Sequence, residues 1–265
     1  LMESETKKIR FIDLFAGAGG LSEGFIRAGY EPIAHIEMDH YACDSLKTRA
    51  AFHYLKENGK LEIYEEYLKN KKEKTDGSWL WNQVPKSVID SVIQEAIGKE
   101  TLPSLFERVD KLCNGKPVDM IIGGPPCQAY SVAGRARLGK KIEEDPRNDL
   151  YKFYVEFLKR YKPKMFVFEN VLGIFTAKGG EPFRDLIRLV RELDYNIDFR
   201  EQIASQHGVL QKRHRVIIVG WQNKRDTQED TSYHYPYLLE EQMPYKMMRD
   251  LFCDLPIVKA GEGTL

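Results

Sequence analysis

The chain has no apolar run approaching the ~20 residues needed to span a bilayer, and its N-terminus has no apolar core of the kind a secretory signal requires. No membrane partner is expected. Net charge is also missing: 40 Lys and Arg balance 40 Asp and Glu among 265 residues. A globally basic surface is thereby excluded, so any nucleic-acid contact has to come from local patches. Cysteines are few, at Cys43, Cys113, Cys127 and Cys253, and none forms a Cys-x-x-Cys pair. A zinc knuckle, any other metal cofactor and a disulfide framework are not expected, and a reducing cytoplasm suits the chain. Internal repeats and low-complexity segments are absent as well. With 42% hydrophobic residues, the length suffices for one large α/β domain, or a domain plus part of a second. Leu1 before Met2 reads as a cloning remnant.

What the chain does have begins with an apolar strand at residues 9–14 that runs into Phe15-Ala16-Gly17-Ala18-Gly19-Gly20. A helix with Leu21, Phe25 and Ala28 on one face follows. Strand, glycine-rich turn and helix make the nucleotide-binding opening of a doubly wound fold. Glycines let a ligand approach the backbone, and the helix N-terminus offers free N–H groups. The Gly-x-Gly-x-x-Gly spacing is lacking, so a dinucleotide pyrophosphate is not specifically indicated. The plainer reading is that these glycines only pack a helix against a strand. A second strand at 32–36 ends in Glu37-Met38-Asp39, about twenty residues after the turn, where an acid can accept from ribose hydroxyls. Phe15 and Met38 could sandwich an adenine ring. An adenosine ligand with no need for a pyrophosphate points to S-adenosylmethionine; a solvated acidic turn is the alternative for Glu37.

After a helix near 41–54, the stretch 56–117 leaves the strand–helix rhythm and reads as a helical, charged surface insertion. Helical patterns are expected around 84–97 and 102–112, the lysine-rich run 69–74 as a solvated loop, and Trp79 and Trp81 as packing residues. A buried strand at 118–122 then breaks on Gly123-Gly124-Pro125-Pro126, and the first side chain presented is the Cys127 thiol. Open α/β sheets place ligands at such carboxyl ends; a small buried cysteine beside a turn is the other reading. The loop that follows, 130–141, carries four cations among glycines and small residues, either to grip a phosphate backbone or as an ordinary basic loop. A helix at 149–161 leads into an apolar strand at 165–168 ending in Glu169-Asn170-Val171, again a polar group at a strand's end. Beyond a helix at 181–193 and a strand at 197–204, Gln211-Lys212-Arg213-His214-Arg215 opens a strand at 216–221. His207 and His214 have no metal partners at ligand spacing and read as structural.

Taken in order, these motifs resemble the DNA cytosine-5 methyltransferase family. Asp13 to Gly20 is similar to its cofactor motif, Pro125-Pro126-Cys127-Gln128 to its nucleophile motif, Glu169-Asn170-Val171 to its acid motif, and Gln211 to Arg215 to its arginine motif. The resemblance covers residues 9 to about 221, with a weaker match in the tail. It implies a Rossmann-like S-adenosylmethionine-dependent methyltransferase fold, with a mostly parallel doubly wound sheet and an antiparallel strand near the C-terminal end. It further implies methyl transfer to carbon 5 of a cytosine flipped out of double-stranded DNA, with S-adenosylhomocysteine as product. Cys127 would attack carbon 6 as a thiolate, Glu169 would grip ring nitrogen 3 and the exocyclic amine, and Arg215 with Arg213 would hold the base carbonyl or a phosphate. Phe15, Ala16, Gly17, Ala18, Gly19, Gly20, Glu37, Met38, Pro126 and Leu150 would line the cofactor. Gln128, Ser131, Arg135 and Arg137 would meet the nucleic acid. The base that removes the carbon-5 hydrogen is not identified. For the acidic contact to the adenine amine expected on a third strand, Asp90 is the residue offered.

The family continues into a target-recognition domain and a final segment that completes the cofactor pocket; this chain stops at Leu265. The expected organisation is a cofactor-binding half at 1–55, the insertion at 56–117, a catalytic half at 118–222, and a tail at 223–265 leading toward an absent target-recognition domain. Target recognition would then reside in a missing C-terminal region or a second chain, and this chain could be inactive alone. A restriction–modification enzyme of a bacterial cytoplasm is the leading expectation. The alternatives are a tRNA cytosine-5 methyltransferase and a non-catalytic subunit of a split enzyme.

Overall fold

A computed structural model describes residues 8–69, 77–126, 149–223, 253 and 255. Seven strands form one sheet in the order β3-β2-β1-β4-β5-β7-β6. They are β1 (Arg10–Leu14), β2 (Glu31–Glu37), β3 (Val92–Gln94), β4 (Met120–Gly123), β5 (Met165–Asn170), β6 (Tyr195–Ile203) and β7 (His214–Gln222). Neighbours from β3 through β5 run parallel, whereas β7 is antiparallel to both β5 and β6. β1 is buried at all five positions and β4 at all four, the apolar reading of central parallel strands with both faces covered. Helices α1 (Gly20–Arg27) and α2 (His40–Glu57) follow β1 and β2; α6 (Leu102–Cys113), α7 (Leu150–Tyr161) and α8 (Glu181–Glu192) precede β4, β5 and β6. The principal core runs from Ile12 and Leu14 through Tyr154, Phe157, Phe166 and Phe168 to Leu186 and Ile218.

The stretch 56–117 is less of an insertion than its sequence suggests. Helices α3 (Leu61–Lys69), α4 (Ser78–Trp81) and α5 (Lys86–Asp90) are short. Tyr67 and Leu80 join Ala51 and Leu55 of α2 in a satellite core, against which Trp79 and Trp81 pack. The helical pattern expected across 84–97 instead divides into α5 and the sheet strand β3. Ser91 ends the helix, its hydroxyl donating to the Val88 carbonyl at 2.7 Å, and the next two residues, Val92 and Ile93, are buried in the sheet. A three-residue strand is too short for its period to stand out from a helical one. The order of β2, β1 and β4 makes the β1–β4 boundary the point where successive connections leave in opposite directions. Leu14 and Gly123, the last residues of those two strands, are register partners there. In open α/β sheets the crevice beyond the carboxyl ends of strands at that point is the ligand site.

Candidate active site

At the end of β1 the chain must turn sharply, and it does so with Phe15 (φ 56°), Gly17 (φ 53°) and Gly19 (φ 82°) in the left-handed region. For Phe15 that conformation is uncommon and costs energy, a strain typical of ligand clamps. The turn is held by backbone hydrogen bonds: the Ala16 N–H donates to the Ile36 carbonyl of β2 at 3.1 Å and the Gly19 N–H to the Ala16 carbonyl at 2.9 Å. Glu37, at the end of β2, completes it. Its carboxylate accepts the Gly17 N–H at 2.8 Å on one oxygen, and the Met38 and Asp39 N–H groups at 2.8 and 2.9 Å on the other. Three of about four lone-pair directions are thus used, so Glu37 braces the turn and has about one direction left for a ligand. A Cβ placed on Gly17 or Gly20 would meet nothing within 4 Å, which leaves open space along the turn. Met38 beside it is 67% exposed, a large apolar side chain with one face free. The set suits an adenosine-bearing cofactor: a backbone cradle, a ribose acceptor and an apolar cover.

Cys43 approaches the same strand end from α2, where its thiol donates to the Glu37 carbonyl at 3.4 Å. Burial, reinforced by the Glu37 charge, pushes that thiol up to about 11, so it stays a protonated donor. Asp39 caps α2 by accepting the Ala42 N–H at 2.8 Å. Asp90 does not reach the site. It ends α5 ahead of β3, at the amino edge of the sheet, and β3 runs parallel to β2 with Gln94 opposite Glu37. The acid at the carboxyl end of β3 is Glu95, whose N–H donates to the Glu37 carbonyl at 2.9 Å. Its trace in the sequence is slight, an acid two residues after the apolar pair Val92-Ile93, with too few residues before it to mark a strand.

At the neighbouring strand ends two glycines allow the backbones to close. A Cβ on Gly123 would lie 2.3 Å from the Leu14 carbonyl oxygen, and one on Gly124 would lie 2.7 Å from Oε2 of Glu169 and 3.1 Å from its main-chain oxygen. The turn Gly124-Pro125-Pro126 therefore sits against Glu169 itself. Asn170, buried at the end of β5, locks the arrangement: its Nδ2 donates to the Pro125 carbonyl at 3.3 Å while its Oδ1 accepts the Val171 N–H at 2.8 Å. Pro126 is exposed and Leu150, at the start of α7, is partly buried. Cys127, Gln128, Ser131, Arg135 and Arg137 lie outside the described residues.

The reversed strand β7 brings its own beginning to this edge, which is how Arg213 and Arg215 come to face a residue that ends a strand. Arg215 Nε lies 2.8 Å from Glu169 Oε1, and Arg213 Nη2 lies 3.4 Å from the same oxygen. Arg215 is further held by its Nη1, which donates to the His214 carbonyl at 2.7 Å. His207 and His214 turn to structural partners, with ring nitrogens 2.8 Å from Gln202 Oε1 and 2.6 Å from Glu201 Oε1 respectively. The described residues thus bring together the glycine turn, Glu37, Met38, Glu95, Glu169, Arg213 and Arg215 along one edge. A cradle, an acid and paired guanidiniums there can bind an adenosine group and a polar heterocycle side by side.

A C-5 cytosine-specific DNA methylase family model matches residues 9–80 and 93–255. Among known proteins, the Type II methyltransferase M.Bpa9945I of Bacillus paralicheniformis is 33% identical, over 95% of this chain and 62% of its own length. The Type II methyltransferase M1.HphI of Haemophilus parahaemolyticus is 29% identical, over 97% of this chain and 55% of its own. The chain therefore spans between about half and three-fifths of the length of these relatives. The fold is similar to that of a solved E. coli protein described as a prophage-encoded DNA modification methyltransferase, with a TM-score of 0.58 and 24% identity over 95% of this chain and 56% of that one. It is similar too to the Entamoeba histolytica methyltransferase EhMeth, with a TM-score of 0.53 and 17% identity over 90% of this chain and 58% of that one.

Proposed function

The chain belongs to the C-5 cytosine-specific DNA methylase family, and from that premise we propose that it is the catalytic part of a DNA cytosine-5 methyltransferase using S-adenosylmethionine. The observation that carries this reading is the Glu169 carboxylate, clasped by Arg215 at 2.8 Å and packed against Gly124 three residues before Cys127, two strands along the sheet from the Phe15–Gly20 turn.

Bound S-adenosylmethionine supplies an electrophilic methyl group. Residues 15–20 receive its amino-acid end along the turn. Glu37 accepts from a ribose hydroxyl with its remaining lone-pair direction, Met38 covers the adenine, and Glu95 accepts from the adenine amine; Pro126 and Leu150 border the same pocket. Carbon 5 of cytosine is too weak a nucleophile to take the methyl group unaided. Cys127, as thiolate, forms a bond to carbon 6 and makes carbon 5 enamine-like, while Glu169 hydrogen-bonds nitrogen 3 and the exocyclic amine and polarises the ring. Arg215, released from Glu169 or shared with it, holds the base carbonyl; Arg213 balances the charge. Once carbon 5 has taken the methyl group, with the methyl–sulfur bond broken and S-adenosylhomocysteine left behind, loss of the carbon-5 proton to a base and departure of the thiolate would give 5-methylcytosine. A stacked base cannot reach this edge, so the cytosine is flipped out of double-stranded DNA, at a cost of about a few kcal/mol. Gln128, Ser131, Arg135 and Arg137 are the residues the family resemblance assigns to the nucleic acid.

The Type II methyltransferases among the relatives support a place in a bacterial, cytoplasmic restriction–modification system. The chain spans only about half to three-fifths of these relatives' length, and target choice is assigned on this reading to a C-terminal region or a second chain. Duplex DNA carrying 5-fluorocytosine, incubated with the full-length protein and S-adenosylmethionine, is expected to give a covalent adduct that survives denaturing electrophoresis and vanishes in Cys127→Ser. Methyl transfer to tRNA with none to duplex DNA would overturn the substrate. No adduct at saturating cofactor would overturn the mechanism.

A further inference from the structure

We propose that Arg49, far from every motif along the chain, is a positioning residue that sets the shape of the glycine turn; the functional consequence rests on reading that turn as the cofactor cradle. Gly19, the second glycine of the turn, lies directly on α2. A Cβ on Gly19 would be 2.9 Å from Leu46 Cδ2 and 3.2 and 3.4 Å from Arg49 Nε and Cδ, so the turn rests on the arginine's stem. The guanidinium is itself fixed, its Nη2 donating to Glu23 Oε2 at 2.6 Å. His53, one helical turn further along α2, puts Nε2 at 2.9 Å from the same oxygen, and Arg27 Nε donates to the other at 2.7 Å.

Glu23 belongs to the first turn of α1, and its backbone N–H donates to the Gly19 carbonyl at 3.0 Å; the Ser22 hydroxyl donates there too, at 3.2 Å. The Gly19 carbonyl is therefore tied to α1 while the Gly19 Cα face rests on α2, and the Glu23–Arg49 pair fixes the two helices at the separation this requires. The Glu23 side chain is 17% exposed and that of Arg49 40%, so the acid is shielded while the arginine head is partly in solvent. Partial burial works against the Glu23 charge, but hydrogen bonds from His53 and Arg27 and the Arg49 charge outweigh it and hold the carboxyl near 2. The Glu23 carboxylate that Arg49 meets is thus ionised at any working pH. Nothing in the glycine motif encodes it, because its members come from two helices and are 26 and 30 residues apart.

The test uses the whole chain and two readouts. Hydrogen exchange of the Ala16, Gly17 and Gly19 amides in the free protein reports the turn itself, and calorimetry with S-adenosylhomocysteine reports its use. Arg49→Met keeps the stem and removes the charged head. It is expected to speed exchange of the turn amides by about an order of magnitude and to weaken binding about tenfold, while Arg49→Lys recovers part of both and Arg188→Ala, an exposed residue of α8 paired with Glu192 of the same helix, changes neither. Should Arg49→Met fail to fold, Glu23→Gln gives the same readouts. Unchanged turn exchange in these variants would overturn the proposal, whether or not binding falls. Faster exchange in a protein whose wild type does not bind S-adenosylhomocysteine would leave the clamp standing and remove the cofactor reading instead.

Discussion

The two halves of the site are held by different kinds of force. At the ends of β1 and β2 the cradle is fixed by backbone groups: Gly17, Met38 and Asp39 N–H groups on one carboxylate, and left-handed residues that force the turn. At the ends of β5 and β7, Glu169 is held by two arginine side chains, one of them with its side chain 49% exposed. Backbone hydrogen bonds do not need to open when a ligand docks, whereas an ion pair at the site of binding must be exchanged for new partners. On the proposed function, the first half is therefore preformed for a cofactor that is the same in every cycle. The second is a charged clasp that a polar base can take apart.

Changing the clasp alone is the sharpest way to test that division. Glu169→Gln keeps the shape and removes the charge, and methyl transfer in a single turnover is expected to fall by about 10²–10⁴-fold with affinity for S-adenosylhomocysteine unaltered. A parallel loss of cofactor affinity would show that the halves are not separable. Next in size is Gly124→Ala, whose new Cβ falls 2.7 Å from Glu169 Oε2 and has to displace the carboxylate. A misplacement of that scale costs roughly 10²-fold in rate, again without loss of cofactor. Its counterpart, Gly17→Ala, meets no atom within 4 Å but must hold φ 53° with a Cβ, a cost of about 1–2 kcal/mol that calorimetry should register in cofactor binding.

The smallest effect concerns the support beneath the cradle. Glu23 has a folded pKa of about 2 against an ordinary 4.5, so its contribution is complete above 4.5 and is lost as pH falls toward 2. Glu23→Gln should therefore lower stability by about 1–2 kcal/mol at neutral pH. In urea titrations the gap to wild type should close progressively between pH 4.5 and 2; a gap independent of pH would remove the ion-pair account.

Much of this arrangement is legible in the sequence because each strand that feeds the site ends in a distinctive word. Apolar runs leading into Phe15-Ala16-Gly17, Glu37, Gly123-Gly124 and Glu169 gave β1, β2, β4 and β5 to within a residue or two. The antiparallel strand came from the resemblance, and the register Glu169 with Ile217 explains why arginines at a strand's start can meet an acid at another's end. β3 and Glu95 were missed because three residues carry no period, and Asp90 was the nearest visible acid. The Glu23–Arg49–His53 clamp was invisible for another reason: its members share no local pattern and meet only once α1 and α2 pack side by side.

Reversing one strand also decides where this fold can vary. Since β7 runs backward, the connection from Ile203 to His214 opens on the same edge as Glu169, while the turn between β1 and α1 is two strands further along the sheet from β5. Lengthening or reshaping that connection would alter the surface beside the acid and leave the Phe15–Gly20 turn and its bracing untouched. On the proposed function, the architecture thus keeps an adjustable margin beside Glu169 and a separately braced geometry along the Phe15–Gly20 turn, on one sheet.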